Sequence, residues 1–250
     1  MKILNIKMQK HYLYVKIKSG DKMYVLASDY DGTLKTRIHD LHINIKSLKK
    51  FRSLGNKFII ATGRSFESIK KEIDKFEIPF DYLSCNDGAV SFNDSLEVID
   101  AKYIKTINFE TILYILKKYP GFHIENFYTP KTTSKAFDQN TIEIVIQGKQ
   151  KPNHLIRELK ETNLGCTRWR DLILVKEKCN KSDAIKFITS TFKNKKVYTI
   201  GDEDNDIEMI KDFNGFRMLE SSPSLWFTPK IVLEEHHLIK YLNFKSKLKR

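Results

Sequence analysis

Tyr24-Val-Leu-Ala-Ser-Asp-Tyr-Asp-Gly-Thr-Leu34 sets an apolar run directly against two carboxylates, a glycine and a threonine. Four apolar residues in succession, Tyr24 to Ala27, predict a strand buried on both faces, the form taken by a parallel strand with helices on either side. Asp29 and Asp31 then fall just beyond its carboxyl end, the edge at which open α/β sheets bind ligands. Asp-Gly-Thr is also ordinary turn chemistry. The meaning of the stretch therefore depends on whether other strand ends repeat it.

They do. Phe58-Ile-Ile-Ala61 is a second buried-strand pattern and ends in Thr62-Gly63-Arg64; Lys196-Val-Tyr-Thr-Ile200 is another and ends in Gly201-Asp-Glu-Asp-Asn-Asp206. A short strand around Tyr82 and Leu83 leads to Cys85-Asn-Asp-Gly-Ala89. Helical patterns separate these strands. Asn44 is read as the cap of a helix carrying Ile45, Leu48, Phe51 and Leu54, with Gly55 as its stop. Ser65 opens one with Phe66, Ile69, Ile73 and Phe76, closed by Pro79. Lys181-Ser-Asp-Ala-Ile begins a third with Ile185, Ile188 and Phe192, and Ile207, Met209, Ile210 and Phe213 form a fourth that stops at Asn214-Gly215. Strand and helix in alternation predict a Rossmann-like parallel sheet, and right-handed crossovers line up Asp29, Thr62 and Asp202 along one edge.

The pattern changes between about residues 88 and 176. Ala89–Phe92 and Leu96–Ile99 flank Asn93-Asp-Ser95 as a hairpin, and Cys166–Trp169 with Leu172–Val175 forms another. Strands over Phe122–Phe127 and Thr141–Ile146 and two helices, one ending at Pro120-Gly121 and one starting at Pro152, complete an α+β module. The expected organisation is an N-terminal extension (1–22), a discontinuous α/β core (23–87 and 177–250) and an inserted cap (88–176). Within the extension, Tyr12–Lys18 alternates apolar and basic residues, as an edge strand guarded by lysines does, or as a loosely held tail. Met23 is an alternative start for the chain.

Composition removes several function classes. With 41% hydrophobic and 30% charged residues the 250-residue chain belongs with globular proteins rather than disordered ones. No apolar run approaches the roughly 20 residues of a membrane span, and early lysines break up any signal-peptide core. Cys85, Cys166 and Cys179 make no C-x-x-C pair, which argues against a disulfide framework or a zinc site. A cytoplasmic location is the expectation. The formal charge of +13 is spread along the chain without a nucleic-acid reading motif, so a solvated lysine surface is favoured over a nucleic-acid interface. It also favours an anionic, phosphorylated ligand.

Several aspartates on one sheet edge repel one another and ionise together only around a cation. Hard oxygen donors, with neither thiolate nor imidazole among them, point to Mg²⁺. Carboxylates, Mg²⁺, a lysine and a threonine hydroxyl suit phosphoryl transfer, in which an aspartate can carry the phosphoryl group covalently.

Asp29-Tyr-Asp-Gly-Thr33, Thr62-Gly-Arg64, Lys181 and Gly201-Asp-Glu-Asp-Asn-Asp206, in that order on those elements, resemble the four motifs of the haloacid dehalogenase superfamily. The insert is similar to the large α/β cap of its Cof-like phosphatases. Asp-x-Asp-Gly-Thr alone arises by chance roughly once in a thousand chains of this size at average composition. The resemblance, which runs from about residue 23 to near residue 240, implies Asp29 as nucleophile and Asp31 as general acid and base. It implies phosphate binding by Thr62, Gly63 and Lys181, with Arg64 as a further phosphate or substrate contact. Mg²⁺ would be held by Asp29, the Asp31 backbone carbonyl and Asp202, with Asn205 or Asp206 completing or orienting the shell. The family usually has glycine after its lysine; here Ser182 follows, which leaves Lys178 as an alternative. The implied activity is a Mg²⁺-dependent phosphatase for small phosphorylated metabolites such as sugar or cofactor phosphates, with a phosphomutase or a basic, non-catalytic nucleic-acid-binding module as alternatives. Substrate choice is expected from the cap, through Tyr128–Lys135 and Arg168-Trp-Arg170. Neither the oligomeric state nor a membrane role is indicated.

Overall fold

The computed structural model describes residues 22–148 and 151–247, together with two short antiparallel strands, Lys7–Met8 and His11–Tyr12. The edge strand expected over Tyr12–Lys18 lies, beyond Tyr12, outside the described residues.

Met23–Ser28 is the strand from which the larger sheet grows. Val25, Leu26, Ala27 and Ser28 are fully buried, and successive side chains point to opposite faces, as the pleat requires. Leu26 joins a cluster with Leu41, Leu48, Phe51, Ile69 and Leu242 on one face. Val25 and Ala27 join Ile185, Ile188, Met209 and Ile210 on the other. Helices Ile38–Ser53, Phe66–Phe76 and Glu235–Lys247 therefore cover one face, and Lys181–Thr189 with Ile207–Asp212 covers the other. The sheet runs Ile231–Val232, Asn214–Met218, Lys195–Gly201, Met23–Ser28, Lys57–Ala61, Tyr82–Cys85, Val90–Asn93, Val98–Ala101; the first six are parallel and the last two antiparallel.

Several local expectations are revised. The hairpin of Val90–Asn93 and Val98–Ala101, grouped by sequence with the insert, extends the large sheet through pairing with Tyr82–Cys85. A hairpin signal is local and does not say which sheet edge it joins. Phe92 settles it by packing on Phe66 of the core helix, ring centroids 4.7 Å apart. The first helix begins at Ile38, not after Asn44; Asn44 sits within it and donates Nδ2 to Leu34 O at 2.8 Å, bracing the preceding loop from inside the helix. Asn214-Gly215, expected as the stop of a helix, opens the parallel strand Asn214–Met218. Glu235–Lys247 is a helix whose Leu238, Ile239 and Leu242 are buried and whose Asn243 donates Nδ2 to Ser47 O at 3.0 Å.

Between Ala101 and Lys181 the chain builds a second, antiparallel sheet in the order Leu164–Trp169, Leu172–Glu177, Glu143–Gly148, Phe122–Tyr128, Thr133–Ser134, with helices Thr106–Leu116 and Asn153–Glu161 packed on it. Its entry and exit are tied together, since Lys105 N and Asn108 Nδ2 both donate to Glu177 Oε1, at 3.1 and 2.6 Å.

Candidate active site

The carboxyl end of Met23–Ser28 delivers Asp29, whose N–H donates to Ile200 O on the neighbouring strand at 3.0 Å. Lys181 reaches it from the opposite layer. The helix that Lys181 opens is capped by Asn180, which accepts from Asp183 N at 2.9 Å while Asp183 Oδ2 accepts from Asn180 N at 3.2 Å. That reciprocal cap fixes the first turn. It sends the fully buried Lys181 ammonium to Asp29 Oδ1 at 2.6 Å and to Asp206 Oδ1 at 2.8 Å. Lys178, the alternative lysine, is exposed. Asp206 is fully engaged: its Oδ2 accepts the backbone N–H groups of Asp202 and Glu203 at 2.9 and 3.1 Å, which shapes the Gly201–Asp206 loop.

Asp202 faces Asp29 across the loop and accepts from Thr33 Oγ1 at 2.6 Å. Two glycines allow this closeness. Gly32, at φ +75°, would drive a Cβ to 2.1 Å from Asp202 Oδ2, and a Cβ on Gly201 would stand 2.3 Å from Asp206 Oδ2. One oxygen from each of Asp29, Asp202 and Asp206 lies within 4.8 Å of the others.

Three carboxylates thus confront one ammonium. Burial, reinforced by Asp206 and Asp202 and opposed by Lys181, raises the Asp29 carboxyl well above its ordinary range. Burial likewise pushes Asp202 up to about 6, against the Thr33 hydrogen bond and with the Asp206 charge adding to it. Burial by itself lowers a lysine, but Asp206 and Asp29 override it and hold the Lys181 ammonium more firmly charged than usual. This surplus of negative charge is what a divalent cation between Asp29 and Asp202 would neutralise. The donors are all hard oxygens, as Mg²⁺ prefers, so the residues present fit the ion.

The remaining sequence-predicted residues are placed as follows. Thr62 is buried and its Oγ1 accepts from Arg64 N at 3.1 Å. Gly63 lies at the loop tip, where a Cβ would come 3.0 Å from Asp87 Oδ1. Arg64 forms a bidentate pair with Asp31, Nε to Oδ2 at 2.6 Å and Nη2 to Oδ1 at 2.7 Å, and lies 5.1 Å over the Tyr30 ring. Asp31 is thereby held toward solvent, its side chain 55% exposed. Asn205 is not gathered with the carboxylates; its Nδ2 donates to Asp87 Oδ1 at 2.8 Å. Within the insert, Thr133 of the Tyr128–Lys135 loop donates to Glu67 on the core helix at 2.9 Å, whereas Arg168-Trp-Arg170 lies at the far edge strand.

Sequence reasoning missed a buried network that joins insert to core. Glu143 accepts from Asn86 Nδ2 at 3.0 Å, and Lys176, its partner across the sheet, donates to Asn86 O at 2.5 Å. Burial pushes Glu143 up to about 7, opposed by Lys176. Asn86 and Asp87 both take left-handed backbone, φ +49° and +50°. The available signal was a single carboxylate set in the apolar run Thr141-Ile-Glu-Ile-Val-Ile146.

The family model for haloacid dehalogenase-like hydrolases matches residues 26–164 and 126–236. The chain belongs to this family. Similar solved structures include a phosphatase of the haloalkanoate enzyme superfamily from Bacteroides thetaiotaomicron (20% identity, TM-score 0.75, covering 92% of this chain and 98% of that one). A protein classed as a HAD/COF-like hydrolase from Plasmodium vivax is 16% identical, with TM-score 0.70 and coverage of 92% and 98%. A subclass IIB sugar phosphatase is 19% identical, with TM-score 0.66 and coverage of 91% and 98%. At these identities the likeness is one of fold, and the haloacid dehalogenase-like fold here is that of the Cof-like members. No curated protein sequence matched the chain. No helix among the described residues is long and apolar enough to cross a membrane.

Proposed function

We propose that this haloacid dehalogenase-like hydrolase is a Mg²⁺-dependent phosphatase acting on small phosphorylated metabolites through an aspartyl-phosphate. The observation that carries the reading is Asp29 at the strand end, with Oδ1 held by Lys181 and Oδ2 free of hydrogen bonds among the described residues. A carboxylate oxygen so presented is a nucleophile whose partner oxygen has been fixed. Asp29 Oδ2 forms the bond to phosphorus as the bond from phosphorus to the leaving oxygen breaks. Asp31 gives that oxygen its proton, then takes one from the water that attacks phosphorus and frees Asp29, releasing inorganic phosphate. Thr62, the Gly63 backbone and Lys181 hold the phosphoryl oxygens, where fixed donors stabilise developing charge.

Asp29, the Asp31 backbone carbonyl and Asp202 would hold the Mg²⁺, with Asp206 and Asn205 orienting the loop; bound there, the ion supplies charge neutralisation for the phosphoryl group. In the resting arrangement Asp31 is paired with Arg64. For Asp31 to reach the leaving oxygen it must release the guanidinium, and Arg64 is then free to bind phosphate or substrate. The related sugar phosphatase and the electropositive chain support a phosphorylated small molecule as substrate.

The test is hydrolysis of an aryl phosphate by the purified chain. Turnover should require Mg²⁺ and disappear in Asp29→Asn; turnover that persists in that variant sinks the nucleophile assignment. Return of the phosphoryl group to a second substrate hydroxyl, rather than to water, would identify a mutase instead.

A further inference from the structure

At the turn between the short strand Ile231–Val232 and the C-terminal helix Glu235–Lys247, Glu234, His236 and His237 bring one donor atom each to a common point. All three atoms lie within 4.8 Å of one another. Their spacing is i, i+2, i+3 over the first helical turn, which is anchored by His237 N donating to Glu234 O at 3.0 Å. The two imidazoles meet edge to face with centroids 4.3 Å apart. His236 is 6% exposed. The Nδ1 atoms of both histidines are buried without a hydrogen-bonding partner among the described residues. His236 Nδ1 stands 3.0 Å from Glu234 Oε2, at ion-pair distance but outside hydrogen-bond alignment.

Buried imidazole nitrogens without partners are rare and costly, and call for an explanation. We propose that Glu234, His236 and His237 form a binding site for a first-row transition metal ion, zinc foremost, separate from the acidic cluster at Asp29. Two imidazole nitrogens and one carboxylate are a donor set that favours zinc or its neighbours over Mg²⁺, the reverse of the all-oxygen cluster. Tetrahedral zinc with bonds of about 2.0–2.1 Å sets its donors about 3.4 Å apart. The three donor atoms, within 4.8 Å of one another and with one pair at 3.0 Å, lie near that spacing.

The surroundings agree. Of the other charged groups nearby, Asp40 is occupied by Thr36 and Arg37, while Lys240 lies one turn further along the helix. Glu235, buried beside Ser28, is not among the converging donors. Glu234 and His237 are only partly buried, so the ion has a route in. Bound there, it would pin the last loop of the core to the start of the helix that packs on Ile38–Ser53.

The full chain, stripped with chelator and held in excess Mg²⁺, is titrated with Zn²⁺ by calorimetry and followed by thermal melting. One equivalent is expected to bind and to raise the melting temperature. Glu234→Gln and His237→Gln, at partly buried positions, should each weaken binding by more than the about 10–100-fold that loss of an outer-shell partner costs, and should remove the thermal gain. Asp202→Asn should leave both intact. Zinc uptake by His237→Gln with wild-type affinity, or absence of uptake by the wild type in excess Mg²⁺, overturns the proposal.

Discussion

Replacing Lys181 by methionine keeps the volume of the side chain and removes its charge. Asp29 Oδ1 and Asp206 Oδ1 lie 2.6 and 2.8 Å from the ammonium, so the variant leaves two buried carboxylates facing each other without compensation. Breaking a buried ion pair in this way costs about 3–5 kcal/mol. In a chain of this size each kcal/mol shifts the melting temperature by about 2–4 °C, which gives an expected fall of roughly 6–20 °C. Differential scanning calorimetry in chelator measures it directly. Adding Mg²⁺ should narrow the gap, because a cation among Asp29, Asp202 and Asp206 neutralises the same charge. The double variant Lys181→Met/Asp206→Asn should recover part of the loss, with a coupling of about 0.5–3 kcal/mol. A fall below about 2 °C in chelator would show that the cluster does not depend on this lysine, and the electrostatic account of the site would go with it.

Other expectations follow from the same geometry. Gly32→Ala should reduce turnover by about 100-fold or more, since its Cβ displaces the Asp202 carboxylate that a 2.1 Å approach already excludes; near-normal kcat would refute the placement. Arg64→Ala should change stability by less than about 1 kcal/mol, because Asp31 is half-exposed, and a raised KM in that variant would show that Arg64 also binds substrate. Glu143 is raised in the folded chain to about 7, so the folded state holds more protons than the unfolded one between about pH 4.5 and 7. Its contribution is therefore full at low pH and lost as pH rises through that window. Glu143→Gln should gain on the wild type by on the order of 3 kcal/mol from pH 4.5 to 8 in denaturant titrations, and a pH-independent difference would refute it.

How much of this was legible in the sequence depends on how locally each feature is encoded. Asp29, Thr62 and Asp202 could be placed on one edge because each follows directly on a run of buried apolar residues, and a strand must end where its polar residues begin. Lys181 was readable as a helix opener, although nothing in its neighbourhood fixes its reach to Asp29. Asn44 misled, because asparagine before an apolar run has the look of a cap, while its actual partner is Leu34 O, ten residues back. Asn214–Met218 was missed since five residues of mixed polarity carry no strong period, and only the adjacent parallel strand makes them a strand. The pairing of Arg64 with Asp31 and the Glu143–Asn86–Lys176 network cross 33 or more positions, distances at which a single sequence records no partner.

The insert leaves and rejoins the core at two points held a hydrogen bond apart, Lys105 and Asn108 meeting at Glu177. A segment whose two ends already touch can be exchanged without stretching or spreading what it is spliced into. The edge of the large sheet proposed to carry the chemistry lies outside that segment, at 29–33, 62–64, 181 and 201–206. Under that proposal the reacting edge and the inserted sheet can diversify at independent rates, the insert changing like a replaceable cassette while the large sheet stays as it is.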